Sequence, residues 1–417
     1  METVETTESK NAEFEKWKYK RYLLLLLGVV MMAVISIPYA WSVFNAPIAK
    51  EFLNIGQAEL QFTFTVFMIC YGVFGIVGGY LVGFFKTVKI NLWIAAVLIF
   101  LSFLISSFAT ELWHFYIGFG VLGGAGVVFA YNAIIVNLTK WFHDRIGMAT
   151  GFLMMGYGLG SFIIGNAYTA IVSSGVDWRT VFLAFGIVIA LITAAGAFLM
   201  FFPPQGYKTP VIPARVDRHP VETLECTPGQ MIRRPSFWCL CAMGTCTMMA
   251  GMGVISNGRN LILNVNPTLE LSTVALVVGI LSIASACGRV FTGFLNDYCG
   301  MKTNIRVSAF CVFLSTLLVA LAITTQNYVF LVISFACAGF STGMSVPDAA
   351  VVTRRLFGDK HYQVNFEIVM SNGIIHAFAA TFVGGLYDIS GGYVLPLFIL
   401  AGLGLIGFIC SWLIRKP

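Results

Sequence analysis

Long apolar runs alternate with short polar stretches along the whole chain. A helix needs about 20 predominantly apolar residues to cross a bilayer, and the runs have that length. They predict twelve membrane helices, over residues 22–44, 61–85, 91–109, 113–138, 147–172, 179–202, 237–257, 269–295, 304–324, 328–350, 363–387 and 394–414. The longest interruption, 203–235, is rich in proline and charge and leaves six spans on either side. It reads as a linker between two bundles, 22–202 and 236–414. Residues 1–21 carry five acids and five bases, with no apolar core or small-residue cleavage site, and are expected to form a polar cytoplasmic tail rather than a signal peptide. The fold expected is an all-α membrane protein, with twelve transmembrane helices in two pseudo-symmetric six-helix bundles.

With 58% apolar and 11% charged residues and a mean hydropathy of +0.85, the chain is no water-soluble globule. Its net charge of +6 would hint at nucleic-acid binding if the cations formed a patch. They lie between the apolar runs instead, so the lipid bilayer is the expected surround and nucleic acid is not an expected partner. By loop parity the cations are one-sided. The amino tail, the loops with Lys86 and Lys89, Lys140 and Arg145, Lys302 and Arg306, Arg354, Arg355 and Lys360, the linker and the carboxyl end hold nearly all of them. The alternate loops hold only Lys50, Arg179 and Arg259. Cations are retained on the cytoplasmic side, which places both termini and the linker in the cytoplasm of a multi-pass plasma-membrane protein, read as a monomer. The ten cysteines form no CxxC pair and no metal spacing with histidine, so they read as small apolar helix residues and no metal or cofactor is expected.

A weak internal repeat supports a duplication. Ala125-Gly126 followed by Lys140-Trp141-Phe142 and Asp144 has a counterpart in Ala338-Gly339 followed by Arg355-Leu356-Phe357 and Asp359. Two such halves suit a carrier that rocks one against the other around a midplane site. An enzyme is not expected, because paired-carboxylate, nucleophile-elbow and phosphate-loop patterns are missing from the sequence. A receptor that binds without transporting would need a signalling domain, for which the tail and linker are too short.

After span eight the chain reads Gly293-Phe-Leu-Asn-Asp297-Tyr-Cys-Gly300-Met-Lys302. This resembles the Gly-x-x-x-Asp-x-x-Gly-x-Lys/Arg loop of the major facilitator superfamily. The resemblance implies that Gly293 allows close helix approach and that Asp297 caps a neighbouring helix and pairs with cations, with Gly300 and Lys302 completing a gating element. After span two, Gly83 stands where the corresponding Asp should be. Three further stretches resemble the oxalate/formate antiporter and monocarboxylate transporter branch: Tyr39-Ala-Trp41-Ser-Val-Phe44 with Pro47, Trp141-Phe-His-Asp144-Arg145 running to Gly151 with Gly156-Tyr157-Gly158, and Arg234-Pro-Ser-Phe237-Trp238.

Arg289 carries the functional reading. A cation near the centre of a membrane helix costs about 2.5–3.5 kcal/mol on insertion scales, so it faces a partner or an aqueous cavity unless it snorkels to the interface. Ser282 and Ser285 share its helix face, and no acidic residue in its span could pair with it. A carboxylate held bidentately by the guanidinium is the natural partner, and the resemblance implies the same role. His376 is the one histidine of five deep in a span, with Asn372 one turn earlier on its face. Composition alone favours a structural donor. The resemblance, anchored on Gly384-Gly385-Leu386, places His376 where the oxalate exchangers carry a lysine.

One arginine and one titratable imidazole suit a monoanion that travels with a proton. Repulsion between the guanidinium and a protonated imidazole would be cancelled by a bound carboxylate, so anion and proton would favour each other's binding. Tyr39 and Tyr131 stand where the resemblance implies aromatic groups over the substrate, although membrane tyrosines also serve as core or interface anchors. The glycines of spans four and five speak for helix packing. Pro38 and Pro347 are expected to interrupt spans one and ten, and Asp348 and Glu367 to pair structurally with Arg354 or Arg355. The expected function is proton-coupled movement of a lactate-sized monocarboxylate. Arg289, His376, Tyr39, Tyr131, Ser285 and Asn372 would form the binding site, and oxalate/formate-type exchange is the rival.

Overall fold

A computed structural model describes residues 7–52, 56–142, 145–204, 207, 224–358 and 360–414. Twelve of its helices are long and apolar enough to cross a membrane. Most run unbroken where the apolar pattern is unbroken: span two is Gln57–Phe85, span three Lys89–Ser107, span five Ile146–Ser173, span six Trp178–Leu199, span seven Pro235–Ser256 and span twelve Val394–Leu413. His143, Asp144 and most of the linker lie outside the described residues, as do the side chains of Asp297 and Glu367.

Three spans are interrupted. Span one begins at Thr7, inside the stretch read as tail, and runs to Val34. It then breaks before a 3-10 turn, Ile37–Ala40, and resumes over Trp41–Glu51. Pro38 explains the break, since its ring excludes a helical hydrogen bond. At the end of the first segment the Ser36 hydroxyl donates to the Ala33 carbonyl at 2.7 Å. Span four widens into π-type turns over Tyr116–Gly123, a segment with three glycines, between Leu112–Phe115 and Gly124–Trp141. Span eleven was expected to be continuous. It divides into Tyr362–Met370, Gly373–His376 and Ala379–Ser390, with turns between. The first turn falls on Ser371-Asn372, immediately before Gly373, where three turn-forming residues stand in succession.

Span ten, Tyr328–Phe357, carries Pro347 without interruption, against expectation. The stretch expected as a loop after span eight is almost wholly helical. Leu271–Thr325 contains spans eight and nine, joined at a single non-helical residue, Gly300, with φ 80° and ψ 164°. That φ is one an L side chain rarely adopts, which gives Gly300 a backbone role. Gly293 is different: a Cβ there would meet nothing within 4 Å, so the close approach expected of it is not observed. Lys302 is exposed on the first turns of span nine.

The spans pack in two groups of six, and equivalent pairs recur six spans apart. Span three packs on six and nine on twelve; span two packs on four and eight on ten. Two seams join the halves, span five with eight and span two with eleven, and these also exchange under the six-span shift. Tight contacts use glycine. A Cβ on Gly339 or Gly343 of span ten would lie 2.1 Å from the Leu281 or Ser285 carbonyl oxygen of span eight, and one on Gly160 of span five would lie 1.9 Å from the Ala33 carbonyl oxygen of span one. Such small-residue stripes let membrane helices gain dispersion contacts without a hydrophobic drive. The first half is filled by interlocking rings, among them Trp41, Phe44, Phe103, Phe119 and Phe182.

Candidate functional site

The seam of spans five and eight carries the central cation. Arg289 extends from span eight into the opposite half, where its Nη1 donates to the Met154 carbonyl at 3.0 Å and its Nη2 to the Tyr39 hydroxyl at 3.4 Å. Its guanidinium lies 5.9 Å from the centre of the Tyr157 ring, within cation–π range. Every one of these partners is neutral. Among the described residues Arg289 forms no ion pair, and the protein groups that meet its positive charge are dipoles and a ring face.

Around it stand four tyrosines. Tyr39 meets Tyr157 edge-on at 5.8 Å, Tyr157 meets Tyr131 at 5.5 Å, and Tyr131 meets Tyr71 at 5.9 Å. The Tyr131 hydroxyl points at the Met154 sulfur, 3.3 Å away. Arg289, Tyr39 and Tyr131 are therefore brought together as expected. Tyr71 and Tyr157 belong to the same cluster and were not singled out from the sequence. Tyr157 could have been, because it lies between Gly156 and Gly158 in a span opposite Arg289.

Gly158 has a specific task. A Cβ on it would sit 2.7 Å from Arg289 Nη1 and 3.1 Å from the Ala286 backbone nitrogen, so glycine leaves the space through which the guanidinium reaches Met154. Gly158→Ala should displace the guanidinium while leaving the helices in place. We expect the guanidinium to lose its hold on the Met154 carbonyl, with the melting temperature within a few degrees of the parent, measured by thermal unfolding.

Ser285, one turn from Arg289, is buried, and its hydroxyl has no hydrogen-bond partner among the described residues. Ser282 makes the cross-seam contact instead, its hydroxyl 2.6 Å from that of Ser161. Further hydrogen bonds join the halves toward the face opposite the termini. Thr65 meets Thr381 at 2.7 Å, the Gln61 amide donates to the Ser256 carbonyl and to Asn257, and the Ala58 backbone N–H donates to Asp388 at 3.1 Å.

His376 and Asn372 lie elsewhere. They line a cleft within the second half, between spans seven, nine, ten and eleven, together with Asp348, Ser308 and Ser345. Arg289 is not part of that lining. The His376 Nδ1 is buried without a hydrogen-bond partner among the described residues. His376 ends the short helix between the two breaks of span eleven, so the backbone interruptions set its position. Asp348 does not pair with Arg354 or Arg355. Its Oδ1 accepts from the Thr292 hydroxyl and the Asn304 amide, each at 2.6 Å, in a buried cluster that ties spans eight, nine and ten together. Hydroxyl and amide donors reach it there because it sits one and a half turns or more inside the helix end that carries the arginines.

Residues 23–366 match the sequence model of the Major Facilitator Superfamily. The oxalate:formate antiporter of Oxalobacter formigenes is 26% identical over 316 residues, covering 74% of this chain and 69% of the relative. Monocarboxylate transporter 12 of Mus musculus is 24% identical over 329 residues, covering 73% and 67%. Among solved structures, the nucleoside transporter NupG superposes over 95% of this chain and 100% of its own with a TM-score of 0.74 at 11% identity, a likeness of fold.

Proposed function

This chain belongs to the Major Facilitator Superfamily, and we propose that it carries a small monocarboxylate, lactate-like in size, together with a proton by alternating access. The observation that carries the reading is Arg289: a guanidinium at the seam of the two halves, reached by tyrosine rings and a backbone carbonyl but by no acid among the described residues. A bound carboxylate would supply the missing charge and would touch both halves at once. Loading the site would then bias how one half sits on the other, which is the requirement for a carrier. Tyr39 and Tyr131, with Tyr157 and Tyr71, would close over the organic part of the anion, and Ser285 offers a free hydroxyl beside it.

His376 would hold the proton. Arg289 is not part of the lining of its cleft, so coupling would run through the movement of span eleven rather than through direct contact with Arg289. In this reading 22–202 and 236–414 are the rocking bundles, 203–235 is their link, and Asp297, Gly293, Gly300 and Lys302 form the hinge between spans eight and nine. Both termini face the cytoplasm of the plasma membrane, as the cation tally requires, and the monomer is the working unit. Oxalate/formate-type exchange is the second reading, favoured by the similarity to the antiporter of Oxalobacter formigenes.

Proteoliposomes separate the two. Symport predicts that labelled lactate enters empty vesicles and accumulates under an inward proton gradient. Exchange predicts uptake only into vesicles preloaded with substrate, unaffected by the gradient.

A further inference from the structure

A second cationic cleft opens on the face opposite the termini. It lies between spans one and five of the first half and the span seven–eight region of the second, and is lined by Lys50, Arg259, Tyr168, Thr169 and Ser173. Two of the three cations in the loops of that face converge on it. Neither has an acid for a partner among the described residues. Glu51, next to Lys50, is already committed: it pairs with Arg179 and accepts from the Trp178 indole at 2.9 Å. Asp177, near Tyr168, is exposed and does not line the cleft.

Arg259 is partly withdrawn from water, and burial with no compensating charge lowers its affinity for its proton below that of an ordinary arginine. The Tyr168 hydroxyl is also buried and has no hydrogen-bond partner. A part-buried cation and a buried, unpaired hydroxyl of two residues lining one cleft are each costly as they stand. Both costs fall if a small anion occupies the cleft. Along span eight, Ala275 at the cleft and Arg289 are fourteen residues apart, roughly 21 Å at 1.5 Å per residue. The Ser161–Ser282 contact lies between them, so the cleft is not the central site.

We propose that Lys50, Arg259 and Tyr168 form a second anion site, bridging the two halves at the face opposite the termini and taking a single carboxylate or phosphate group. A ligand there would be held by spans of both halves and would stabilise the arrangement in which that face is sealed. It would also concentrate the anion at the mouth of the pathway. The site requires only a small anion and stands whether the carried substrate is lactate, oxalate or another.

The test uses the full-length protein in nanodiscs, with Arg289→Gln removing the central site so that the cleft alone answers. Acetate is the probe, followed by saturation-transfer NMR. In neutral phosphatidylcholine discs Arg289→Gln should still transfer saturation to acetate. Adding Lys50→Gln and Arg259→Gln should reduce that signal at least about fivefold, and Tyr168→Phe should reduce it less. Thermal unfolding checks each fold; neutralising Arg259 breaks no bond among the described residues and should not lower the melting temperature. In discs containing phosphatidylglycerol, disappearance of the acetate signal would identify a lipid phosphate as the occupant, and its persistence a soluble anion. Equal signals from Arg289→Gln and the triple variant in neutral discs, or no signal from either, would overturn the proposal.

Discussion

Arg289→Gln should abolish substrate binding while leaving the protein folded. A carboxylate held by a desolvated guanidinium loses about 2–5 kcal/mol when that charge is removed, so affinity should fall by roughly two orders of magnitude or more. Stability should hold, because the partners left behind are the Met154 carbonyl, the Tyr39 hydroxyl and a ring face, none of them a charge that would be stranded. The unliganded variant should therefore melt near the temperature of the parent. Arg289→Lys is the sharper variant. It keeps the charge and loses the planar fork, and bidentate geometry should make the loss about tenfold. Thermal-shift titrations with formate, acetate, lactate, pyruvate and oxalate measure both. An unchanged affinity in Arg289→Lys would show that the carboxylate sits elsewhere.

The membrane fold was legible because its cause is one-dimensional. A run of apolar residues of bilayer length has few alternatives to a helix, and the even division of spans by a charged linker fixed the pairing into halves. Arg289 was legible for the same reason, since a charge within an apolar run must be explained. What escaped was local geometry. Span eleven was expected to be continuous because Ser371, Asn372 and Gly373 interrupt its apolar pattern only briefly, yet the first break falls on these three turn formers, and a second follows His376 at Ala377-Phe378, where no turn former stands. Pro347 misled in the opposite direction: the helix of span ten passes through it intact.

The site's partners were harder to read because they come from the other half. Tyr157 and Gly158 look like packing residues within their own span, and only the seam with span eight gives them a task. Asp348 was expected to answer Arg354 or Arg355 by sequence proximity. Inside a bilayer, distance along the helix axis decides, and Thr292 and Asn304 lie at its depth. His376 likewise lines a cleft that Arg289 does not, a placement in space that no periodicity of the chain encodes.

Removing the imidazole should uncouple transport from the proton gradient without stopping it. His376→Gln keeps a polar amide of similar reach in the cleft but cannot titrate. Counterflow of labelled lactate in proteoliposomes should remain within about twofold of the parent, since Arg289 and the tyrosine cluster are untouched. Accumulation driven by an inward proton gradient should fall to the level seen with no gradient. Linkage demands the pair of results: if proton and anion favour each other's binding, loss of the proton site removes exactly the gradient-dependent part of the affinity. Uptake by His376→Gln that still rises with the gradient as in the parent would place the proton elsewhere. Asp348 lines the same cleft, and Asp348→Asn retains a carbonyl oxygen for Thr292 and Asn304. Loss of gradient drive in that variant alone would move the proton from the imidazole to the carboxyl group of span ten, and would leave the anion site at Arg289 unaffected.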